Sequence, residues 1–186
     1  MCTKRYISDL HIGHSQAILY DNRPFQSLDE MKQTIIDNWN SVVADGDVTY
    51  VLGDMFWSNI ETPEVLRQLK GEKHLILGNH DLPSSEMKKH FASIEALKEV
   101  SDNGRHVILC HYPIAHWKNS DRRSIHLYGH IHRGRDSRSF EEYVSLMKER
   151  GVPYECYNVG CMMPYMNYTP RTLDEIIEAS NKEDFI

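Results

Sequence analysis

The composition describes an ordinary globular chain with one unusual residue count. The chain has 186 residues, of which 40% are hydrophobic and 26% charged, and this suits one domain with a full-sized core. Its net charge of −6 argues against nucleic-acid binding through bulk charge. No segment predicts a signal peptide or a membrane span, so we expect a cytoplasmic protein without membrane attachment. The unusual count is 11 histidines, the commonest metal ligand among side chains.

The cysteines follow neither a metal-binding nor a disulfide pattern. The chain contains Cys2, Cys110, Cys156 and Cys161. They form no Cys-x-x-Cys pair and are too sparse for a disulfide scaffold. We therefore expect reduced, partly buried thiols, in agreement with a cytoplasmic location.

Strands and helices alternate in the first half of the chain. Short apolar runs predict strands at residues 4–8, 48–52 and 73–77. The segment from residue 13 to about residue 24 has no clear periodicity and predicts a loop. Helices are predicted at residues 27–43 and 62–70. The first of them opens with a capping box formed by Ser27 and Glu30.

The second half is richer in strands. Apolar runs predict strands at residues 105–110, 124–128 and 152–159. Helices are predicted at residues 85–92, with a further helical turn near 94–99, at 139–150 and at 172–179. Asn103 and Gly104 form a strong hairpin-turn signal between the helical turn near 94–99 and the strand at 105–110. The order of elements indicates one layered α/β domain over residues 1–186, without internal repeats or linkers.

Polar side chains follow the third predicted strand at the point where it ends. Gly78 breaks the strand, and Asn79, His80 and Asp81 then form a turn. In open α/β sheets, ligands bind at the carboxyl ends of the strands. An amide oxygen, an imidazole and a carboxylate together offer a metal ligand beside a proton donor. Alone, the pattern fits equally well a polar turn whose Asn and Asp bond to their own backbone.

Four further predicted strands end in similar chemistry. The residues at these ends are Asp9 and His11, Asp54, His111, and His130 and His132. Each one alone has an ordinary explanation, such as a turn or a core histidine, but coincidence at five strand ends is a poor explanation. The combined set is too large for one ion. It suits two divalent ions about 3.5–4 Å apart, bridged by one carboxylate.

The donor types restrict the choice of metal. Imidazole and oxygen donors without thiolate favour a transition-metal centre over a structural zinc site made of cysteines. Manganese is our first expectation, and iron, zinc and nickel are the alternatives.

The order of these residues resembles the five motifs of the calcineurin-like metallophosphoesterase superfamily. The matching segments are Asp9-Leu10-His11, Gly53-Asp54, Gly78-Asn79-His80-Asp81, His111 and Gly129-His130-Ile131-His132, and they lie within residues 4–132. Arg23-Pro24-Phe25 and Asn158-Val159-Gly160 resemble small bacterial and phage members. The resemblance implies an α/β fold, a four-layer α/β/β/α sandwich with two mixed sheets and helices outside.

The resemblance also implies roles for the motif residues. It assigns Asp9, His11 and His132 to one metal ion, Asn79, His111 and His130 to the other, and Asp54 to both. It implies attack of a metal-bridging hydroxide on phosphorus, with His80 as the general acid that protonates the leaving oxygen. In the protein phosphatase branch, an Asp that orients this histidine stands where Trp57 stands here. The sequence therefore leaves the orienting partner of His80 open.

Candidate substrate-binding residues flank the motifs. His14 and Arg23 follow the first motif and are predicted to reach a substrate phosphate. The basic stretch at residues 118–138 is a further candidate, with a solvated loop as the plainer explanation. Three aromatic residues that follow motifs are candidates for stacking on a ring or for packing in the core: Trp57, Tyr112 and Trp117.

The sequence predicts a two-metal hydrolase of a small phosphodiester or phosphomonoester. A nuclease acting on DNA or RNA ends is the nearest enzymatic alternative, and the acidic net charge counts against it. The alternatives outside enzymology are a protein-binding scaffold and a metal sensor on the same fold. A scaffold is expected to have lost metal ligands, whereas this chain keeps the whole set together with His80.

Overall fold

Two four-stranded sheets form the centre of the computed structural model, which describes residues 2–57 and 62–182. The first sheet contains β1 (Lys4–Ile7), β2 (Val48–Val51), β3 (Glu72–Ile76) and β4 (Ser93–Glu95). These strands lie side by side in chain order, and every pairing is parallel. The carboxyl ends of β1, β2 and β3 consequently meet at one edge of the sheet.

The second sheet is mixed. It contains β5 (Leu97–Asp102), β6 (Arg105–Cys110), β7 (Ile125–Tyr128) and β8 (Glu155–Asn158), again in chain order. The β5–β6 hairpin is antiparallel, whereas β6, β7 and β8 run parallel. The hairpin turn is formed by Asn103 and Gly104, both at positive φ, as the Asn-Gly pair predicts.

Six α-helices surround the sheets in the described part of the chain, which also contains a short 3₁₀ helix at Ser120–Arg122. The α-helices are α1 (Ser15–Tyr20), α2 (Leu28–Val42), α3 (Thr62–Gln68), α4 (Ser85–Lys88), α5 (Arg135–Glu149) and α6 (Leu173–Lys182). The Ser27 hydroxyl caps α2 by accepting from the Glu30 N–H at 3.1 Å, as predicted. Within the described residues, no helix combines the length and apolar character that crossing a membrane requires.

The core lies between the two sheets and on their outer faces. Ile7 and Val51 of the first sheet and Leu109 of the second belong to one buried cluster, so the sheets stack face to face. Residues of α2 (Met31, Ile35 and Trp39) join this cluster from the other side of the first sheet. Ile108, which points the opposite way from its neighbours, packs with residues of α5 in a second cluster. The layered α/β fold with two sheets is confirmed, but only the second sheet is mixed, whereas two mixed sheets were expected.

Two predictions of local structure were wrong. The predicted loop after the first motif contains the helix α1, which has no side-chain N-cap and buries only Ala17, so its sequence carries little helical signal. The helical turn predicted near 94–99 is instead divided between β4 and β5. Ala, Leu, Lys and Glu favour helix there, and pairing of Ile94 with Leu75 overrides that local preference.

One buried histidine of the second sheet lies outside the strand-end motifs. His126 on β7 is fully buried, and its Nδ1 lies 3.1 Å from the Ile108 carbonyl oxygen. Its Nε2 accepts from the Ile114 N–H at 3.1 Å. Burial lowers the pKa of His126 to about 4, so the folded protein holds it as a neutral imidazole.

The neutral His126 predicts a loss of stability in weak acid. The unfolded chain binds a proton near pH 6.5 and the folded chain only near pH 4, so stability falls as the pH drops through this window. His126 should account for a loss of about 2 kcal/mol between about pH 7.5 and about pH 5. Urea denaturation at both pH values should show a smaller loss for His126→Asn, and an equal loss in both proteins would contradict the assignment.

Candidate metal centre

The predicted strand ends converge. Asp9, Asp54 and Asn79 follow β1, β2 and β3, which are neighbours in the parallel sheet. His111 and His130 follow β6 and β7, which are neighbours in the second sheet. Because the two sheets stack with these edges together, residues far apart in sequence form one cluster.

One part of the cluster contains Asp9, His11 and His132. The Nε2 atoms of the two histidines lie 3.3 Å apart. The Asp9 Oδ1 atom lies 4.0 Å from Nε2 of His11 and 3.5 Å from Nε2 of His132. Three potential donor atoms from two sheets therefore surround one small volume, an arrangement that a cation can satisfy.

The other part contains Asp54, His111 and His130. Nε2 of His111 lies 3.5 Å from the Asp54 Oδ2 atom and 3.1 Å from Oδ1 of Asn79. Its Nδ1 lies 2.7 Å from the Leu52 carbonyl oxygen, which fixes the ring by accepting from it. With Nδ1 as the donor, Nε2 of His111 presents its lone pair to the cluster.

The Asp54 carboxylate lies between the two parts. Its Oδ2 atom is 3.8 Å from Nε2 of His11 and 3.5 Å from Nε2 of His111. Its Oδ1 atom accepts from the main-chain N–H of His80 at 2.9 Å. The main chain therefore holds Oδ1, while Oδ2 faces His11 in one part of the cluster and His111 in the other.

The cluster is built on strained backbone. Several non-glycine residues of the cluster have a positive φ: Asp9 (56°), His11 (49°), Asp54 (50°), His130 (71°) and His132 (42°). The left-handed region costs an L-residue roughly 1 kcal/mol or more. These left-handed residues follow β1, β2 and β7, so the backbone leaves its extended conformation where these three strands reach the cluster.

Glycines allow these turns to approach one another. A Cβ on Gly78 would overlap the Asp54 carboxylate, and a Cβ on Gly53 would overlap the His111 ring. A Cβ on Gly129 would overlap both the Ser8 hydroxyl and the Asp9 carboxylate. The glycine in each Gly-Asp, Gly-Asn and Gly-His motif is therefore required by packing against a different motif.

Asp81 holds two of the turns together. Its Oδ2 accepts from the N–H groups of Asp54 and Gly78, each at 2.8 Å, and its Oδ1 accepts from the Met55 N–H at 3.2 Å. Its carboxylate is thus occupied by main chain and does not orient the adjacent His80. This structural role of Asp81 could not be predicted from the sequence, because the bond pattern depends on β2 and β3 being neighbours.

His80 lies beside the cluster and packs against Trp57. The ring centroids of the two residues are 4.5 Å apart, and Nε2 of His80 lies 4.0 Å from the Asp54 Oδ2 atom. On Trp57, the His14 ring stacks at 3.6 Å with an interplanar angle of 3°. Trp57 therefore supplies an aromatic contact to His80 at the position where the protein phosphatase branch has an Asp.

The two predicted substrate-binding residues have different surroundings. His14 is partly exposed beside His11 and Trp57, at the rim of the cluster. Arg23 is only 4% exposed, and its guanidinium donates to the carbonyl oxygens of Asp9 and Leu10 and to the Asp21 carboxylate. The guanidinium therefore donates its hydrogen bonds to protein groups, which argues against direct phosphate binding by Arg23.

Asp21 is a site residue that sequence reasoning missed. Its Oδ1 lies 2.6 Å from Nδ1 of His132, and its Oδ2 accepts from Arg23. The only signal in the sequence was a carboxylate in the segment after the first motif, and nothing there indicated a partner on a different sheet.

The aromatic candidates divide between rim and core. Tyr112 is 43% exposed, and its ring centroid lies 4.6 Å from that of His130. Trp57, on the other side of the cluster, is 45% exposed. Trp117 is buried, donates to Ser124 and packs on Tyr154, so it belongs to the core.

The ionisation states of Asp54 and His11 suit cation binding, whereas that of His132 opposes it. Burial by itself raises the pKa of Asp54, but His111 and the His80 main-chain N–H lower it to about 2. Burial lowers the pKa of His11 to about 4, which leaves a neutral imidazole. Burial also opposes protonation of His132, yet hydrogen bonds to Asp21 and Asp9 raise its pKa to about 9. A cation would have to displace that proton.

Comparisons with known proteins agree with this geometry. A family model described as the calcineurin-like phosphoesterase superfamily domain matches residues 5–172. The match extends beyond the last motif histidine and includes most of the C-terminal third of the chain. The resemblance inferred from the motifs is therefore confirmed.

Relatives come from archaea, phages and bacteria. An uncharacterised protein of Methanocaldococcus jannaschii is 34% identical over 180 residues, covering 95% of this chain and 90% of that protein. The gene 66 protein of Mycobacterium phage L5 is 28% identical over 160 residues, covering 68% of this chain and 76% of that protein. The crystal structure of a protein of unknown function from Aquifex aeolicus has a TM-score of 0.73 and 25% identity, covering 96% of this chain and 100% of that one.

The packing at Gly129 predicts the effect of adding one methyl group. Gly129→Ala should displace the Asp9 carboxylate from His11 and His132 and weaken Mn²⁺ binding about tenfold or more. Calorimetric titration of metal-free protein measures the affinity, and circular dichroism checks the fold. Gly134→Ala is the matched control, because a Cβ there has no neighbour within 4 Å. Wild-type affinity in folded Gly129→Ala protein would contradict the packing argument.

Proposed function

The chain belongs to the calcineurin-like phosphoesterase superfamily, and on that premise we propose that it is a metal-dependent hydrolase of a small phosphate ester. The observation that carries the proposal is the pair of Asp–His groups that meet at the Asp54 carboxylate. A protein-binding scaffold needs no such convergence of donor atoms. The strained turns beneath the cluster also favour a functional role, because such strain is concentrated at functional sites.

The residues present fit two divalent cations. We propose that Asp9, His11 and His132 hold one ion, that Asn79, His111 and His130 hold the other, and that Asp54 serves both. The donors are carboxylate, imidazole and amide groups, which suit manganese, iron, zinc or nickel. Cys161, which lies close by, directs its thiol to the Asp9 carbonyl oxygen instead.

The protein side chains prepare the site for in-line attack on phosphorus. When bound, the two cations would lower the pKa of water and offset charge on the phosphoryl oxygens. Asp54 keeps its negative charge because its pKa is about 2. His111 is fixed by Leu52 and Asp54 by the His80 main chain, so these groups need little reorganisation during the reaction.

We assign the proton transfer to His80. Its main chain is anchored on Asp54, while its side chain is 39% exposed and its Nε2 lies 4.0 Å from the Asp54 Oδ2 atom. A histidine so placed is able to donate a proton to the leaving oxygen of a bound ester. Contact with Trp57 restricts the ring, and we propose that this packing replaces the Asp of the protein phosphatase branch.

The surroundings favour a small substrate. A groove of about 470 Å³ adjoins the cluster and is lined in part by Tyr20, His130, His132 and Arg133. His14 and Trp57, which stack on one another, lie at another side of the cluster and outside this groove. The net charge of −6 opposes a long polyanion, which supports a small ester over DNA or RNA.

The first test is metal-dependent turnover by the full chain. Metal-stripped protein should release p-nitrophenol from p-nitrophenyl phosphate or its bis-ester only after Mn²⁺, Fe²⁺, Zn²⁺ or Ni²⁺ is restored. The preferred compound would separate monoester from diester chemistry. Two tightly bound metals with no turnover of either compound would favour the sensor, and absence of metal binding would favour the scaffold.

Asp54→Asn should abolish this activity. The substitution keeps the shape of the side chain but removes the charge shared by the two groups, so at least one ion should be lost. We expect turnover to fall roughly 1,000-fold or more, with metal content measured by elemental analysis. Asp45→Asn, at an exposed carboxylate away from the cluster, is the control. Full metal content with full activity in Asp54→Asn would refute the bridging role.

His80→Ala should separate metal binding from catalysis. Because His80 is assigned to proton transfer, both metals should remain while kcat falls about 100-fold or more. The loss should shrink for substrates whose leaving group has a low pKa, since these need less help from an acid. His116→Ala, at an exposed histidine, controls for nonspecific effects. Loss of metal from His80→Ala would instead make His80 a ligand.

A further inference from the structure

One carboxylate joins the metal cluster to the segment that follows the first motif. Oδ1 of Asp21 lies 2.6 Å from Nδ1 of His132, across 111 residues of sequence. Oδ2 of the same carboxylate accepts from Nε of Arg23 at 2.9 Å and from Nη2 at 2.8 Å. The Asp21 side chain is only 6% accessible, so these bonds are shielded from water.

Arg23 connects this carboxylate to the first motif. Its Nη1 donates to the Leu10 carbonyl oxygen at 2.8 Å, and its Nη2 donates to the Asp9 carbonyl oxygen at 2.9 Å. The guanidinium is a planar fork with fixed donor directions, so it holds Asp21 and the Asp9 turn in one geometry. His132, Asp21, Arg23 and Asp9 thus form a continuous hydrogen-bonded chain.

We propose that Asp21, held by Arg23, is a positioning residue that orients His132 toward the cation site of Asp9 and His11. A neutral imidazole has one donor and one acceptor nitrogen. When Nδ1 donates to Asp21, the lone pair of Nε2 is directed at the volume it shares with Nε2 of His11, 3.3 Å away. This inference rests on the proposed metal centre and adds Asp21, a residue that the sequence motifs do not include.

Only a carboxylate satisfies both partners of Asp21. His132 and Arg23 are both donors, and a carboxylate offers acceptors on both oxygens. An asparagine would turn its NH₂ group toward one of these donors and lose that bond. Asp21→Asn is therefore a disruptive substitution here despite its similar shape.

The effect should be confined to one of the two cation sites. In the other group, His111 is oriented by the Leu52 carbonyl oxygen and has no contact with Asp21 among the described residues. The main chain of His132 is held separately, since its carbonyl oxygen accepts from Nδ2 of Asn158 at 3.1 Å. Loss of the Asp21 bond should free the ring without removing the residue from the site.

Calorimetric titration of the metal-free full chain with Mn²⁺ tests the inference. Wild-type protein should show two sites, and Asp21→Asn should weaken one of them about 10- to 100-fold while leaving the other unchanged. Asp136→Asn is the matched control, because Asp136 lines the same groove as Asp21 and His132 but is exposed. Two unchanged sites in Asp21→Asn, or equal weakening of both, would overturn the inference.

A measurement on wild-type protein covers the case in which Asp21→Asn does not fold. Nitrogen NMR of the Zn²⁺-loaded chain should show His132 protonated at Nδ1 and coordinated through Nε2, with His132→Gln used to assign the signals. Coordination through Nδ1 would overturn the inference. Absence of metal binding by wild-type protein would refute the proposed function itself. Equal metal binding by wild-type protein and Asp21→Asn would refute only the positioning role of Asp21.

Discussion

Close packing of main chain at one edge of the two sheets is the constraint on which the site depends. Where Gly53, Gly78 and Gly129 lie, a single methyl group would overlap a side chain or main chain of another motif. The turns therefore approach more closely than any other residue type would allow. Asp81 then holds the β2 and β3 turns in place by accepting three main-chain hydrogen bonds. This close approach brings donor atoms from distant parts of the chain within reach of common ions.

The same packing has to maintain strained backbone. Asp9, Asp54 and His132 are among the cluster residues in the left-handed region, each at a cost of roughly 1 kcal/mol or more. Such conformations persist only where surrounding contacts over-determine them. The adjoining Leu10 and Ile12 are buried in the core, and Arg23 binds the carbonyl oxygens of the first turn. A cation that bound only the folded state would further offset the strain.

The surroundings of the cluster distinguish this chain from the protein phosphatase branch. Trp57 packs on His80 at the position where that branch has an Asp, so an aromatic ring lies where a carboxylate would otherwise stand. Arg23, expected at a substrate phosphate, instead links Asp21 to the first motif from a buried position. The segment after the first motif thus contacts the group of Asp9, His11 and His132 from a buried position. The residues at least partly exposed at the rim of the cluster include His14, Trp57 and Tyr112.

The sequence by itself determined the α/β class, most strands and the chemistry at their ends, because strand breakers, apolar runs and polar turn residues are local signals. It correctly placed β6 and the cap of α2 for the same reason. Tertiary structure alone decided that residues 93–95 pair as a strand and that Asp21 meets His132, since both depend on partners distant in the chain. The bonds of Asp81 and the burial of Arg23 likewise follow from which strands become neighbours. Hydrogen-bond partners across a sheet edge leave no periodic trace in sequence, so only the folded chain reveals them.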